Sequence, residues 1–297
     1  MRMNKEPAHI KKGIKMVRLN NLQKEYKGFK LDITMDIPEG RVTGLIGRNG
    51  AGKTTTLKAI LGLIEPTSGE IEVLGKKPRD FTAEDKKQIG TALSSSGFNL
   101  IFTVNDVIGI LKGFYNDFDE EDFRNKCMQQ ELPFDKPIKD FSTGMRAKLR
   151  VLIAMSHSAK LLILDEPTAG LDVIARNDVL NLIRAYLEED ASRSVIISSH
   201  ISTDLEGLCD DIYMINDGRI ILHEDTDTLL GKYGIVKVGK EEYETLDKKY
   251  ILGTSKDSFG VTCLTSEKQF YAENYPKAVV ENAHIDDIIV LILGGEK

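Results

Sequence analysis

The sequence predicts an α/β fold: a parallel sheet with helices on its faces, a helical subdomain inserted between strands, and a small C-terminal α/β accessory domain. Three observations predict it. Apolar strand-like runs alternate with helical segments over most of the 297 residues, and such alternation implies parallel strands joined by helical crossovers. Residues 95–157 break the alternation with helical patterns alone. From about Leu230 the segments shorten, and short strands alternate with short helices.

In chain order, residues 1–15 carry Arg2, Lys5, Lys11, Lys12 and Lys15 and no apolar stretch of the kind a signal peptide needs. They form an expected solvated extension. Met16–Leu19 and Leu31–Ile37 alternate apolar and polar residues, as half-buried strands do. Pro38-Glu39-Gly40 is a turn, and Arg41–Ile46 is a buried strand. A glycine-rich loop follows, then a helix over Thr54–Leu63 and a strand over Glu70–Leu74. Helices are expected at Thr103–Tyr115, Glu120–Glu131 and Gly144–Ser158. Strands return at Leu161–Leu164, Ser194–Ser198 and Ile212–Ile215, with a helix over Val173–Leu187 between the first two. The C-terminal strands are expected at Ile235–Val238, Tyr250–Gly253, Val261–Leu264 and Ala278–Val280. The expected boundaries are an extension over 1–15, a main domain over 16–229 and an accessory domain over 230–297.

Composition narrows the function. With 41% hydrophobic residues, a compact chain of this size buries roughly 75% of its unfolded surface. A net charge of −6 argues against a nucleic-acid surface. Cys127, Cys209 and Cys263 are far apart and form no CxxC pair. They are expected as buried apolar thiols in a reducing compartment, not as metal ligands. Crossing a bilayer takes about 20 apolar residues, and the longest clean run, Ile288–Leu293, has six. Work at a membrane therefore needs a partner chain.

Gly47-Arg48-Asn49-Gly50-Ala51-Gly52-Lys53-Thr54 matches the P-loop pattern between a predicted strand and a predicted helix. Its glycines let backbone N–H groups turn inward as an anion nest. The nest opens onto a helix N-terminus, whose free N–H groups and dipole favour negative charge. Lys53 offers a full positive charge to the outer phosphates. The Thr54 hydroxyl, followed by Thr55, is placed to ligate Mg²⁺. Farther on, Leu161-Leu162-Ile163-Leu164 ends in Asp165-Glu166. Asp165 is the acid expected to complete the Mg²⁺ site. Glu166 is expected to point the other way by strand alternation, beside the terminal phosphate, where it orients and deprotonates water.

From here the sequence resembles the ABC ATPases, the nucleotide-binding subunits of ABC transporters, over roughly residues 16–225. Phe141-Ser142-Thr143-Gly144-Met145 stands where that family has its signature, with Thr143 and Met145 replacing the usual Gly and Gln. Ser142 is a good helix N-cap. The following helix places Met145, Leu149, Leu152 and Ile153 on one stripe. Ala169-Gly170-Leu171-Asp172 resembles the loop that crosses the family's dimer interface, and Asp172 is equally suited to cap the next helix. His200 matches the switch histidine. Tyr26 stands where an aromatic often stacks on adenine, and a core or surface tyrosine is the alternative. The glutamine usual after the strand at Ile89–Leu93 is missing; Ser94 stands there, followed by Ser95, Ser96 and Gly97. Serine reaches less far, so a bridging water can replace direct metal contact.

The resemblance implies a P-loop NTPase of ABC ATPase type using ATP and Mg²⁺. It implies two copies closing as a homodimer, each offering Ser142 and Gly144 to the nucleotide on the other's Gly47–Thr55 loop. Lys53, Glu166 and His200 would be catalytic, and Thr54, Asp165 and Ser94 would face the metal. It also implies a membrane-spanning subunit on a separate chain, docked near residues 94–105, and a cytoplasmic, membrane-peripheral location. Ile285-Asp286-Asp287-Ile288-Ile289-Val290 with Gly294-Gly295-Glu296 resembles the tails of bacterial drug- and peptide-export ATPases. The rival is a soluble ABC-type ATP switch acting on a non-membrane partner. Translation-type switches usually carry two cassettes, and this chain has one. Repair-type members insert a long coiled coil between the positions of Lys53 and Asp165, and no heptads occur there.

Overall fold

The computed structural model describes residues 15–94, 99–258 and 260–294. Residues 1–14, the loop residues Ser95, Ser96 and Gly97, and the tail residues Gly295 and Glu296 lie outside the described residues.

β1 (Lys15–Tyr26) and β2 (Phe29–Pro38) form an antiparallel hairpin. Val17, Leu19 and Leu22 on β1 and Leu31, Ile33, Met35 and Ile37 on β2 are all buried. A register shift after Leu19 lets β1 run on past the Met16–Leu19 stretch that alternation marks. β3 (Val42–Ile46), buried throughout, feeds the glycine-rich loop and α1 (Lys53–Ile60). β4 (Ser68–Val73) pairs with the free edge of β1, giving an antiparallel sheet of order β2–β1–β4. This sheet stands beside the expected parallel one and is an addition to it. Alternation in sequence does not show that a strand has joined a second sheet.

α2 (Ala83–Lys87) leads to β5 (Ile89–Ala92). The helical insertion is α3 (Val104–Phe114), α4 (Glu120–Gln129) and α5 (Thr143–Ala154). Thr103 and Asp119 cap α3 and α4 by accepting from backbone N–H groups, which sets where both begin. α5 departs from its expected stripe: Ala147, Val151 and Ala154 are buried with Leu149 and Leu152, while Met145 and Ile153 are only partly buried. A helix enclosed on several sides hides no single apolar stripe.

β6 (Leu161–Asp165), α6 (Val173–Glu189), β7 (Ser194–Ser199), α7 (Ser202–Glu206) and β8 (Asp211–Asn216) complete the central unit. β9 (Arg219–Asp225) folds back on β8 through Asp217 and Gly218, both at positive φ, as tight two-residue hairpins require. The central sheet has the order β5–β6–β7–β3–β8–β9 and is parallel except for β9.

α8 (Thr226–Lys232) leads into β10 (Gly234–Val238), α9 (Lys240–Thr245), β11 (Ile251–Lys256), β12 (Val261–Thr265), α10 (Lys268–Asn274), β13 (Val279–Asn282) and α11 (Ile285–Gly294). Their antiparallel sheet has the order β11–β12–β10–β13. Ile235, Leu264, Ile285, Ile288 and Leu291 join the same buried cluster as Leu205 of α7. A smaller cluster around Val236, Cys263 and Tyr271 is private to this end. The three cysteines are buried and free. Burial pushes the Cys127 thiol up to about 12 and the Cys263 thiol up to about 11, which leaves them unreactive. No helix among the described residues is long and apolar enough to cross a membrane.

Candidate functional site

β6, β7 and β3 are parallel neighbours whose register sets Asp165 against Ser198 and Ser199 against Ile46. The residues that follow, Glu166, His200 and Gly47, therefore emerge together beyond the carboxyl ends of the strands. Open α/β sheets hold their ligands at that edge.

The glycine-rich loop wraps the end of β3. A Cβ at Gly47 would lie 2.3 Å from the Ile215 carbonyl oxygen, so the backbone approach there excludes any side chain. Gly52 caps α1 at φ 116, and a Cβ there would meet Leu31 and Phe29. The first residue of α1, Lys53, is buried. Its Nζ donates to the Gly47 carbonyl at 2.6 Å and stands 3.1 Å from Glu166 Oε1. A cleft of about 280 Å³ is lined by Arg48, Asn49, Gly50, Gly52, Lys53, Thr54 and Thr55, with Phe29, Ser94 and Glu166.

Glu166 reaches this cleft by a route other than the expected one. β6 ends at Asp165, and Glu166 sits at φ 51. A left-handed turn aims its side chain, not strand alternation. That conformation costs an L residue roughly 1–2 kcal/mol. The Glu166 N–H is anchored to β7, donating to the Ser198 carbonyl and to Ser198 Oγ, each at 3.1 Å. Its carboxylate bridges two of the expected site residues. Oε1 faces Lys53, and Oε2 meets His200 at 2.6 Å from Nδ1 and 3.2 Å from the backbone N–H.

Asp165 is fully buried. Three hydroxyls donate to it: Thr54 at 3.1 Å and 3.0 Å to its two oxygens, Ser94 at 2.6 Å to Oδ2, and Ser198 at 2.7 Å to Oδ1. Thr54, Ser94 and Asp165 thus gather the hard oxygen donors that suit Mg²⁺. No group of three or more His, Cys, Asp or Glu among the described residues could hold a metal. Mg²⁺ is usually held by one or two carboxylates together with substrate phosphates, so the residues present fit it. Arg150 of α5 feels the Asp165 carboxylate. Burial and nearby Arg146 lower its guanidinium pKa, and the Asp165 carboxylate raises it.

Ser142, Gly144, Asp172 and Tyr26 do not line the cleft. Ser142 caps α5, accepting from Met145 N–H at 3.1 Å. Asp172 caps α6, accepting from Ile174 and Ala175 N–H at 3.0 Å and 2.9 Å. A Cβ on Gly144 would lie 2.9 Å from Ala175 Cβ, so this glycine also lets α5 and α6 meet. Beside Asp172, Val173 and Ile174 are 71% and 76% exposed. Tyr26 is half exposed and stands 6.5 Å from Phe29, its partner across the hairpin. Phe29 is the aromatic that lines the cleft, and sequence reasoning misses it. Its signal is its place three residues after Tyr26, directly opposite in the register.

Residues 31–169 match the ABC transporter family. The chain is 34% identical over 221 residues to the lantibiotic transport ATP-binding protein SrtF of Streptococcus pyogenes, covering 71% of this chain and 92% of that protein. It belongs to the ABC transporter ATP-binding family. It is also 35% identical over 215 residues to the bacitracin transport ATP-binding protein BcrA of Bacillus licheniformis, covering 69% of this chain and 68% of that one. Among solved structures, the ATP-binding cassette MJ0796, dimeric in a post-hydrolysis state with ADP and Pi, shares its fold. The TM-score is 0.62 at 22% identity, over 71% of this chain and 99% of that chain.

This ABC subunit therefore binds and hydrolyses ATP for a transporter. In the cleft at Gly47–Thr55 the glycine-rich loop, the buried Lys53 and Glu166 converge, with Asp165 buried behind Thr54 and Ser94. Larger hollows of about 520 Å³ beside Pro66 and Arg79, and about 620 Å³ beside α11, are not lined by that buried lysine.

Proposed function

We propose that this ATPase hydrolyses ATP at a site shared by two copies of the chain. The observation that carries the residue roles is Glu166, whose carboxylate lies between Lys53 and His200 at the ends of three adjacent strands. The loop Gly47–Thr55 cradles the phosphates, and Lys53 turns its Nζ from Glu166 to the outer ones. Glu166 Oε1 is then free to take a proton from water, while His200 keeps Oε2 in place. A carboxylate within reach of both a cation and an imidazole suits general-base work. Thr54, Asp165 and Ser94 would hold Mg²⁺, which when bound neutralises charge developing on the phosphates. Tyr26 and Phe29 form the aromatic side on which an adenine ring stacks.

Ser142, Gly144 and Asp172 lie off the cleft of their own copy. Ser142 and Asp172 are exposed at two capped helix N-termini, with Gly144 half-buried in the first turn of α5, beside exposed Val173 and Ile174; this supports a role across the interface of a homodimer. Helix N-termini favour anions, so the Ser142 end of α5 suits a triphosphate on the second copy. The separate membrane-spanning subunit would dock near residues 94–105, of which Leu100 and Ile101 are exposed; residues 95–98 lie outside the described ones. The named relatives serve lantibiotic and bacitracin transport, which supports export of a peptide or drug, and a cytoplasmic place on the inner membrane face. The division into a cassette over 16–229 and an accessory unit over 230–297 belongs to the same proposal.

Glu166→Gln tests the central role. It keeps the shape and removes the base, so ATP binding should persist and hydrolysis should fall by about 10²–10⁴-fold. An ATP-bound dimer should accumulate on size-exclusion chromatography. Turnover at the parent rate would end the assignment.

A further inference from the structure

We propose that Ser198 is a positioning residue for hydrolysis, its single hydroxyl setting both acids of the site at once. This rests on the residue roles proposed above. Ser198 lies on β7 directly across from Asp165 in register, two residues before His200, and is fully buried. Its Oγ donates to Asp165 Oδ1 at 2.7 Å and accepts from the Glu166 N–H at 3.1 Å. A hydroxyl has one proton and two lone pairs, so both bonds form together.

The two bonds act on different parts of the chemistry. The first fixes the rotation of the Asp165 carboxylate. Thr54 and Ser94 also donate to that carboxylate, but both are less buried than Ser198 and lie on the cleft. They are the donors a metal would displace or recruit. Ser198 approaches from inside the sheet, so its bond persists when the cleft side changes hands. Outer partners that orient a ligating carboxylate commonly matter nearly as much as the ligand. The second bond helps hold Glu166 in its left-handed conformation, at φ 51. Loss of the hydroxyl leaves only the Ser198 carbonyl as acceptor for that N–H. The same loss leaves a buried carboxylate oxygen with one donor fewer.

The test uses the full chain with Ser198→Ala, Ser198→Thr and Ser198→Cys. The readouts are binding of a fluorescent ATP analogue in EDTA, the Mg²⁺ concentration at half-maximal gain in that binding, kcat with KM, and thermal melting. Ser198→Ala should bind the analogue in EDTA like the parent. Its Mg²⁺ midpoint should rise and its kcat fall, each by about 10–100-fold, the usual cost of losing an outer partner of a metal ligand. KM at saturating Mg²⁺ should hold. Ser198→Thr keeps the hydroxyl and should restore most of both. Ser198→Cys keeps the volume with a weak donor and should fall between; it carries the comparison should the alanine chain not fold. Parent-like Mg²⁺ midpoint and kcat in Ser198→Ala or Ser198→Cys would overturn the proposal. So would equal losses in the alanine and threonine chains, because that pattern tracks packing and not the hydroxyl. Glu166→Gln separates the two layers. Full turnover there removes the catalytic reading, whereas the Mg²⁺ midpoint of Ser198→Ala reports on Asp165 alone.

Discussion

At Glu166 a charged side chain is pointed by a backbone twist that β7 restrains. Sequence spacing makes Asp165-Glu166 legible as an acid pair after an apolar strand, and it marks Lys53 and Thr54 as candidates for phosphate and metal contact. It does not supply φ at Glu166, nor the donors converging on Asp165, because those come from β7 across the sheet. His157 offers a second residue-scale lesson. It is buried and stacks on Tyr115, with ring centroids 4.0 Å apart. Burial lowers its pKa below the ordinary 6.5, with the Asp117 carboxylate pulling the other way. The unfolded chain therefore binds a proton that the folded chain refuses. The stability it contributes is fully present above pH 6.5 and is lost as pH falls from there through the lower folded value. His157→Phe keeps the stack and removes the titration. Melting temperatures measured below pH 6.5 should then fall less steeply with acid than in the parent, and identical slopes would contradict the burial account.

At the scale of elements, caps and contacts share residues with the expected signature. Ser142 and Asp172 each satisfy the N-terminal N–H groups of a helix, so their presence alone does not separate structure from function. Gly144 does allow a separation. Its position against Ala175 is tight, and overpacking typically costs about 1–3 kcal/mol. Gly144→Ala should therefore lower the melting temperature, and adding Ala175→Gly should restore it. If ATPase activity stays low in the stable double variant, Gly144 serves the nucleotide as well as the packing. Full recovery of both would assign it to packing alone. α7 shows what periodicity misses. It is five residues long, too short to display a helical pattern. Yet Asp204 on it, almost wholly buried, accepts from Thr168 at 2.5 Å and pairs with Arg176. That link ties the loop after Glu166 to α6 and to the segment after His200.

At the scale of the whole molecule, the C-terminal unit is built onto the ATPase. Glu206 of α7 accepts from the Ile285 N–H at the start of α11 at 3.0 Å. Ile285 and Ile288 are fully buried in the cluster that also holds Leu205. Removing most of such a side chain costs about 2–5 kcal/mol. Ile288→Ala should therefore shift one calorimetric transition of the entire chain. Two separate transitions, with only one moved, would show that the shared core does not couple the units.

The sequence by itself determined the phosphate loop, the acid pair, the order of the motifs and most of the strands and helices. Those depend on neighbours along the chain: glycine spacing, apolar periodicity and capping residues. Only the tertiary structure decided that β1, β2 and β4 form their own sheet and that β9 runs antiparallel. It alone placed Phe29 in the cleft and Ser198 beneath both acids, and joined α11 to the segment after His200. Each of these is a contact between residues distant in sequence, whose partner no local pattern names.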